Sequence, residues 1–223
     1  MTEYKETKSL DEKFNSENIE NRCMTFWEDN KVYAYDKNAS RENTYVVDTP
    51  PPTVSGSLHI GHIMSYTQTD VKVRWQRMNG KAIFYPIGWD DNGLPTERRV
   101  QNYYGVACNP ELAYDPAFKP EHVENVKDLK EISRKNFVET CELLTENDEK
   151  VFENIFRRIG HSYDWSLKYS TISPKAIKVS QESFLDLVKK GLCKSVESPT
   201  MWDIDFQSAV AQAEVEDREM ASF

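Results

Sequence analysis

Three features that often reveal the class of a protein are missing from this sequence. Its 28 Lys and Arg are outnumbered by 37 Asp and Glu, giving a formal net charge of −9, so there is no basic excess of the kind that marks a self-sufficient nucleic-acid-binding domain. There is no long apolar run, and the mean hydropathy is −0.70, which argues against a membrane protein. The first ten residues are mostly polar, which argues against a secretory signal or transit peptide. We therefore expect a soluble cytoplasmic protein.

Paired cysteines are also missing. The four cysteines, Cys23, Cys108, Cys141 and Cys193, include no Cys-x-x-Cys pair, which fits neither a disulfide framework nor a zinc ribbon. What the chain does have is 39% hydrophobic and 12% aromatic residues in a length of 223. This composition is typical of a globular protein with one large domain, or one domain and a fragment of another.

One segment has the pattern of a strand, a helix and a second strand. Residues 45–47 are a short β-prone run, and the prolines at 50–52 prevent its continuation. Apolar residues at helical spacing follow, with Ser57 as the predicted N-cap and Gly80 as the predicted end. Residues 82–87 are almost continuously apolar, which predicts a strand buried on both faces. The segment therefore predicts a βαβ unit and an α/β fold.

Most of the remaining chain is predicted to be helical. We predict a short amphipathic helix within 19–35, a long helical stretch beyond Asn109 that ends at Gly160, and a helix from Pro174 to Gly191. Six acidic residues between 139 and 153 are expected to form a solvated face. In the tail, residues 209–216 alternate as a strand would.

Two of the four histidines lie in the turn between the first predicted strand and its helix. His59 and His62 are three residues apart, so both project from one side of the first helical turn. In open α/β sheets nucleotides bind at this turn, because the helix N-terminus attracts phosphate. Both imidazoles can donate to phosphate oxygens, and Gly61 leaves room for a flat base. The alternatives are half of a metal site, although no further ligand lies at zinc spacing, or two incidental surface histidines.

A second polar segment, residues 88–97, directly follows the second predicted strand. It reads Gly-Trp-Asp-Asp-Asn-Gly-Leu-Pro-Thr-Glu. A carboxylate at the carboxyl end of a strand is well placed to pair with a ligand ammonium group, which makes Asp90 a candidate binding residue. The alternative is a turn in which Asp90 and Asp91 cap a helix started by Pro95, and for Asp91 this is the favoured interpretation.

The His-Ile-Gly-His tetrapeptide at 59–62, taken with residues 88–97, resembles the catalytic domain of the class I aminoacyl-tRNA synthetases. Within that class, residues 50–62, residues 88–106 and the tail from Trp202 to Asp217 are most similar to the valyl-tRNA synthetases. The resemblance runs from about Phe26 to the last residue. It implies an α/β fold: the first half of a Rossmann-like nucleotide-binding catalytic domain, followed by the start of an inserted editing domain. The implied boundaries are 1–40 for an N-terminal arm and helix, 41–195 for the catalytic half-domain and 196–223 for the start of the editing region.

The resemblance also implies an activity and its residues. Such enzymes form valyl-adenylate from valine and ATP with Mg²⁺, transfer the valyl group to tRNA(Val), and hydrolyse threonyl products in the editing domain. The two histidines would be catalytic, because they would bind the ATP phosphates and stabilise the transition state. Asp90 would hold the valine ammonium group. Many members of the family have Asn at the position of Thr53. The implied residues are, for ATP, His59, Gly61 and His62, and, for the amino acid, Pro51, Pro52, Thr53 and Asp90; no metal ligand is implied.

Other signatures of the family are missing. There is no Lys-Met-Ser-Lys-Ser motif, and its nearest counterpart, Lys178-Val179-Ser180, falls within a predicted helix. The second half of the nucleotide-binding sheet and the anticodon-binding domain are missing too. We therefore expect a fragment that by itself neither aminoacylates nor binds tRNA. Two alternatives are a non-catalytic remnant or paralogue that binds a nucleotide or a protein partner, and a nucleotidyltransferase with a similar histidine turn, which the Gly-Trp-Asp segment disfavours.

Overall fold

The computed structural model describes residues 16–54, 58–91, 93–126, 128–204 and 208–210, together with residues 215, 217 and 219. No helix in these ranges is both long enough and apolar enough to cross a membrane. All four cysteines are free. The α-helices in the described ranges are α1 (Ser16–Asp29), α2 (Ile60–Met78), α3 (Gly93–Tyr104), α4 (Arg134–Arg158) and α5 (Pro174–Lys189).

The strands are short and mostly paired in parallel. They are β1 (Thr44–Val46), β2 (Ala82–Phe84), β3 (Gly88–Trp89), β4 (Val106–Asn109), β5 (Lys130–Ser133), β6 (Tyr169–Ser170), β7 (Trp202–Asp203) and β8 (Ser208–Ala209). The parallel pairs are β1 with β2, β3 with β6 and β4 with β5, and the antiparallel pair is β7 with β8. Because α2 crosses over between β1 and β2, the predicted βαβ unit is confirmed.

Residues 82–91 form an extended central segment, called the central line below, which pairs with other parts of the chain on both of its sides. On one side Tyr45 pairs with Ile83, and on the other Gly88 pairs with Tyr169. The prediction of one strand over 82–87 was wrong, since regular pairing stops after Phe84 and resumes at Gly88. Pro86 lies in this gap and has no backbone N–H to donate to a ladder. Tyr85 and Ile87 are nevertheless buried, as the predicted two-sided burial requires.

The main core lies where α2 and α4 pack on this central line. Its largest side chains are aromatic: Trp89 stacks on Phe156 with ring centroids 6.3 Å apart, and Tyr85 packs on Tyr163 at 4.4 Å. These four residues are fully buried. They pack the carboxyl end of β3 against α4, and packed elements place functional side chains more precisely than loops do.

A second core joins α3, β4, β5 and α4, and here the sequence-based prediction was wrong. The stretch beyond Asn109 was predicted to be helical, but β5 occupies residues 130–133 and α4 begins only at Arg134. The side chain of Ser133 caps α4 by accepting a hydrogen bond of 3.2 Å from the Asn136 amide. The helix then ends as predicted, because Gly160 adopts φ +80°, which favours glycine.

Two further predictions need correction, and a third is only partly testable. The N-cap of α2 is His59, not Ser57, which lies outside the described residues. On α4, Glu139, Glu142 and Glu146 are solvated as predicted, but the other three acidic residues of the set, Asp148, Glu149 and Glu153, are partly buried and face neighbouring segments. Of the predicted tail strand, Ala209 lies in β8, Val210 and Val215 lie in no strand, and the other residues of 211–216 lie outside the described ranges.

Candidate functional site

Thr53, which follows the proline segment, lies beside Asp90, which directly follows β3. They form a parallel bridge, in which the Asp90 amide donates to the Pro52 carbonyl and the Val54 amide donates to the Asp90 carbonyl, both at 2.9 Å. The Thr53 hydroxyl also donates to Asp90 Oδ2 at 3.0 Å. The structure therefore brings three of the four predicted amino-acid residues together, and the fourth, Pro51, is next to Pro52 in the chain.

The two histidine rings lie next to each other at the start of α2, with their planes tilted by 33°. Their ring centroids are 3.9 Å apart, so the prediction that they share one side of the turn is confirmed. Each Nδ1 accepts a backbone hydrogen bond: His59 Nδ1 from the Gly61 amide at 3.2 Å, and His62 Nδ1 from the His59 amide at 3.4 Å. In a neutral ring with an accepting Nδ1, the proton is on Nε2. The turn therefore offers two N–H donors to a ligand oxygen.

Burial, and secondarily the charge of His59, lower the pKa of His62 below its usual 6.5. Two imidazoles so close together cannot both carry a positive charge without mutual repulsion. At neutral pH His62 is therefore a neutral hydrogen-bond donor.

Gly61 allows the His59 ring to lie close to the backbone of this turn. A Cβ at this position would lie 2.9 Å from His59 Nδ1, closer than real Cβ contacts, so a larger residue would displace the His59 ring. The turn is also tied to the proline segment, since the Tyr66 hydroxyl donates to the Pro50 carbonyl at 2.6 Å. The histidine pair and the Thr53–Asp90 bridge are thus held on connected elements.

Asp91 has a structural role, as its turn interpretation suggested, but with different partners. It does not cap α3 within the described contacts; its carboxylate accepts a hydrogen bond from the Ser170 hydroxyl, and its amide donates to the Thr171 hydroxyl at 3.0 Å. Burial raises the pKa of Asp91. Burial and the neighbouring charge of Asp91 also raise the pKa of Glu149 to about 7.

Sequence reasoning missed the segment 169–171, which borders the site. β6 pairs with β3, and the Thr171 amide donates to the Trp89 carbonyl at 3.0 Å. Nothing in the local sequence signals this contact, because residues 88 and 169 are eighty-one positions apart. A glycine directly before the Trp-Asp pair is the one feature that hints at a close neighbour on that face.

No group of three or more His, Cys, Asp or Glu side chains that could hold a metal ion is present among the residues described. The alternative that His59 and His62 are half of a metal site therefore gains no support from additional ligands. Their two Nδ1 atoms are already engaged with backbone amides.

Parallel strands, a histidine pair at the N-terminus of α2 and a carboxylate directly after β3 form an arrangement that is suited to binding a nucleotide in open α/β folds. The family model for tRNA synthetases class I (I, L, M and V) matches residues 22–223. The chain belongs to this family.

Its most similar relatives include valine–tRNA ligases. The chain is 53% identical to the valine–tRNA ligase of Thermobifida fusca over 219 residues, which is 98% of this chain and 25% of that protein. It is 54% identical to the enzyme of Salinispora tropica over 203 residues, 91% of this chain and 24% of that protein. The chain thus spans about a quarter of the length of these relatives.

A solved structure supports the fold. The chain matches LeuRS in the crystal structure of the Agrobacterium radiobacter K84 agnB2 LeuRS-tRNA-LeuAMS ternary complex with a TM-score of 0.66. The match covers 92% of this chain and 21% of that one, at 22% sequence identity. At this low identity, the structural similarity to LeuRS supports the fold of the chain and nothing further.

Proposed function

We propose that the chain is the N-terminal part of a valine–tRNA ligase and carries the valine site together with the first half of the ATP site. One observation carries the proposal: the Thr53–Asp90 bridge and the histidine pair of α2 lie on segments joined by the Tyr66–Pro50 hydrogen bond, in a chain that is 53% identical to a valine–tRNA ligase over nearly its whole length. The reaction assigned to the whole enzyme is formation of valyl-adenylate from valine and ATP, followed by transfer to tRNA(Val).

In the proposed first step, a carboxylate oxygen of valine attacks the α-phosphorus of ATP, and the bond to pyrophosphate breaks. No covalent enzyme intermediate is required, so the protein contributes positioning and charge stabilisation. The Nε2–H groups of His59 and His62 would donate to phosphate oxygens, and Gly61 would admit the adenine. Asp90 would hold the valine ammonium group in a pocket lined by Pro51, Pro52 and Thr53. Mg²⁺ would enter with ATP and neutralise part of the phosphate charge.

The proposed organisation follows from the same assignment. Residues 41–195 would form the first half of a Rossmann-like catalytic domain, residues 1–40 its N-terminal arm and helix, and residues 196–223 the start of an inserted editing domain. The chain's charge of −9 favours placing the tRNA contacts elsewhere in the whole enzyme. We propose the cytoplasm as its location, because translation takes place there.

Calorimetric titration with a non-hydrolysable valyl-adenylate analogue tests the valine site. We expect saturable binding, and we expect Asp90→Asn to weaken it by roughly tenfold to a hundredfold, because the ammonium group loses the opposite charge that strengthens its hydrogen bond. The matched control is Asp186→Asn, an exposed aspartate of α5 whose carboxylate contacts Lys190 at 2.6 Å. Absence of heat with the unaltered chain would instead favour a non-catalytic remnant.

A second measurement addresses catalysis. Valine-dependent exchange between ATP and pyrophosphate should stay at background for this chain, because it spans about a quarter of the length of its relatives and lacks the Lys-Met-Ser-Lys-Ser motif. Exchange above background would show that these residues are sufficient for adenylation.

A further inference from the structure

The pairing of β3 with β6 places an aromatic ring at the proposed amino-acid site. In the register of this pair Tyr169 lies beside Gly88, and the Tyr169 amide donates to the Ile87 carbonyl at 3.2 Å. A Cβ on Gly88 would collide with Cζ and both Cε atoms of the Tyr169 ring. The ring therefore lies across Gly88, in space that any other residue would fill.

Asp90 projects from the same face of the chain as this ring. Side chains alternate along extended backbone, so residues 88 and 90 share one face and Trp89 points to the other. Trp89 is fully buried in the core, which leaves the Gly88–Asp90 face on the ligand side. Tyr169 is 39% exposed, so its ring is accessible beside Asp90.

The space beside the ring is negatively charged. Burial, and then the charges of Asp48 and Asp90, raise the pKa of the Tyr169 hydroxyl. Neither aspartate forms a salt bridge within the ranges that the structure describes. Thr53 donates to Asp90 Oδ2 only, so Oδ1 of this carboxylate is available to a cationic ligand.

We propose that the α-ammonium group of the amino acid is held between the Asp90 carboxylate and the face of the Tyr169 ring. The inference rests on the proposed function and adds to it a binding residue that the histidine and Gly-Trp-Asp segments do not contain. An ammonium group is attracted to the face of an aromatic ring, and Asp90 supplies the opposite charge. The glycine at 88 permits the arrangement, because the ring can approach the backbone next to Asp90 only where no side chain intervenes.

A comparison of two ligands with two substitutions tests this geometry. One ligand is the non-hydrolysable valyl-adenylate analogue, and the other is its 3-methylbutanoyl counterpart, which lacks the amino group. Tyr169→Leu should weaken binding of the first by about three- to thirtyfold, the range expected for loss of a cation–π contact. Binding of the second should be almost unchanged, and Tyr169→Phe, which retains a ring, should bind both ligands as the unaltered chain does.

Tyr114→Leu is the matched control, because Tyr114 is 41% exposed and contacts Lys135 at the start of α4 instead of the site. Equal weakening of both ligands by Tyr169→Leu would overturn the inference, since a merely structural role predicts that result. Selective loss of the amino ligand in Asp90→Asn but not in Tyr169→Leu would also overturn it and leave the proposed function standing. Failure of the unaltered chain to bind either ligand would refute the proposed function, and this inference with it.

Discussion

The hydroxyl of Thr53 donates a hydrogen bond of 3.0 Å to Oδ2 of Asp90 across a parallel bridge. This contact orients the carboxylate and satisfies one of its oxygens, so Thr53 supports Asp90 in the proposed site. Thr53→Val keeps the shape but removes the donor, and we expect it to weaken valyl-adenylate analogue binding by about tenfold, the value for one hydrogen bond to a charged group. Calorimetric titration measures the change.

Asparagine at this position provides the natural control. Its amide can donate where the threonine hydroxyl does, so Thr53→Asn should bind the analogue within about threefold of the unaltered chain. If the valine and asparagine variants were equally impaired, the hydrogen bond would not be the reason for the effect.

Burial and the closeness of the two histidines should lower the pKa of His62 in a titration. Because burial and the charge of His59 both lower the pKa of His62, we expect the His62 ring to titrate below its usual 6.5 in proton–carbon correlation spectra recorded against pH. His59→Asn retains a residue suited to the N-cap and removes the neighbouring charge. The pKa of His62 should then rise but stay below 6.5, since the effect of burial persists; no rise would contradict the proposed coupling of the two rings.

Helix starts and helix ends that depend on a local cap, proline or glycine could be predicted from the sequence. Ser173 accepts a hydrogen bond from the Ala176 amide at 3.3 Å and Pro174 opens α5, as a proline at the first position of a helix should. Gly80 and Gly160 both have positive φ where the sequence predicts helix ends. The histidine turn and Asp90 could likewise be found from their place at strand ends and helix starts.

Elements that depend on distant partners could not be found in this way. β5 contains one strongly apolar residue, Ile132, and is a strand because it pairs with β4 across a connection of twenty residues. Tyr169 lies at the proposed site because it pairs with Gly88. Glu149 is partly buried, unlike the solvated residues of α4, because it lies beside Asp91. In each case the contact is set by tertiary packing, which local pattern does not encode.

The carboxyl pair of Asp91 and Glu149 should make stability depend on pH. Burial and the charge of Asp91 raise the pKa of Glu149 from 4.5 to about 7, so the native state keeps a proton that the unfolded chain loses. The stabilisation is therefore complete below about pH 4.5 and is lost as the pH rises to about 7. Glu149→Gln should stabilise the chain at pH 8 but not at pH 4, as measured by urea unfolding; equal effects at both pH values would contradict this.

His161 should make stability depend on pH in the opposite direction to Glu149, so the two residues can be compared. Its Nε2 contacts the Thr67 hydroxyl at 3.0 Å, and burial lowers its pKa to about 4. The native state therefore resists a proton that the unfolded chain accepts, and stability is lost as the pH falls from about 6.5 to about 4. His161→Gln should reduce this loss of stability toward acid pH, whereas Glu149→Gln should reduce the loss of stability toward about pH 7. The opposite signs of the two changes separate the variants in the same assay.

The apolar side of α5 leads to a last prediction, on self-association. No residue of this helix is buried, although Ile177, Phe184, Leu185 and Val188 are all apolar and 44–57% exposed. α2 exposes a similar stripe, in which Met64 and Trp75 are 62% and 59% exposed. Contiguous apolar surface of this kind drives association. We therefore expect the weight-average mass of the chain in sedimentation equilibrium to rise with concentration.

A charge introduced on α5 tests whether its apolar face is the surface responsible. Phe184→Glu places a carboxylate in the centre of the exposed apolar face and should shift association to at least about tenfold higher concentration, because burying that charge at a contact is costly. Glu182→Gln changes charge on the same helix at a residue 3.7 Å from Lys178, and it should have little effect. If the unaltered chain stayed monomeric at every concentration, or if both variants behaved alike, the apolar face of α5 would not be an association surface.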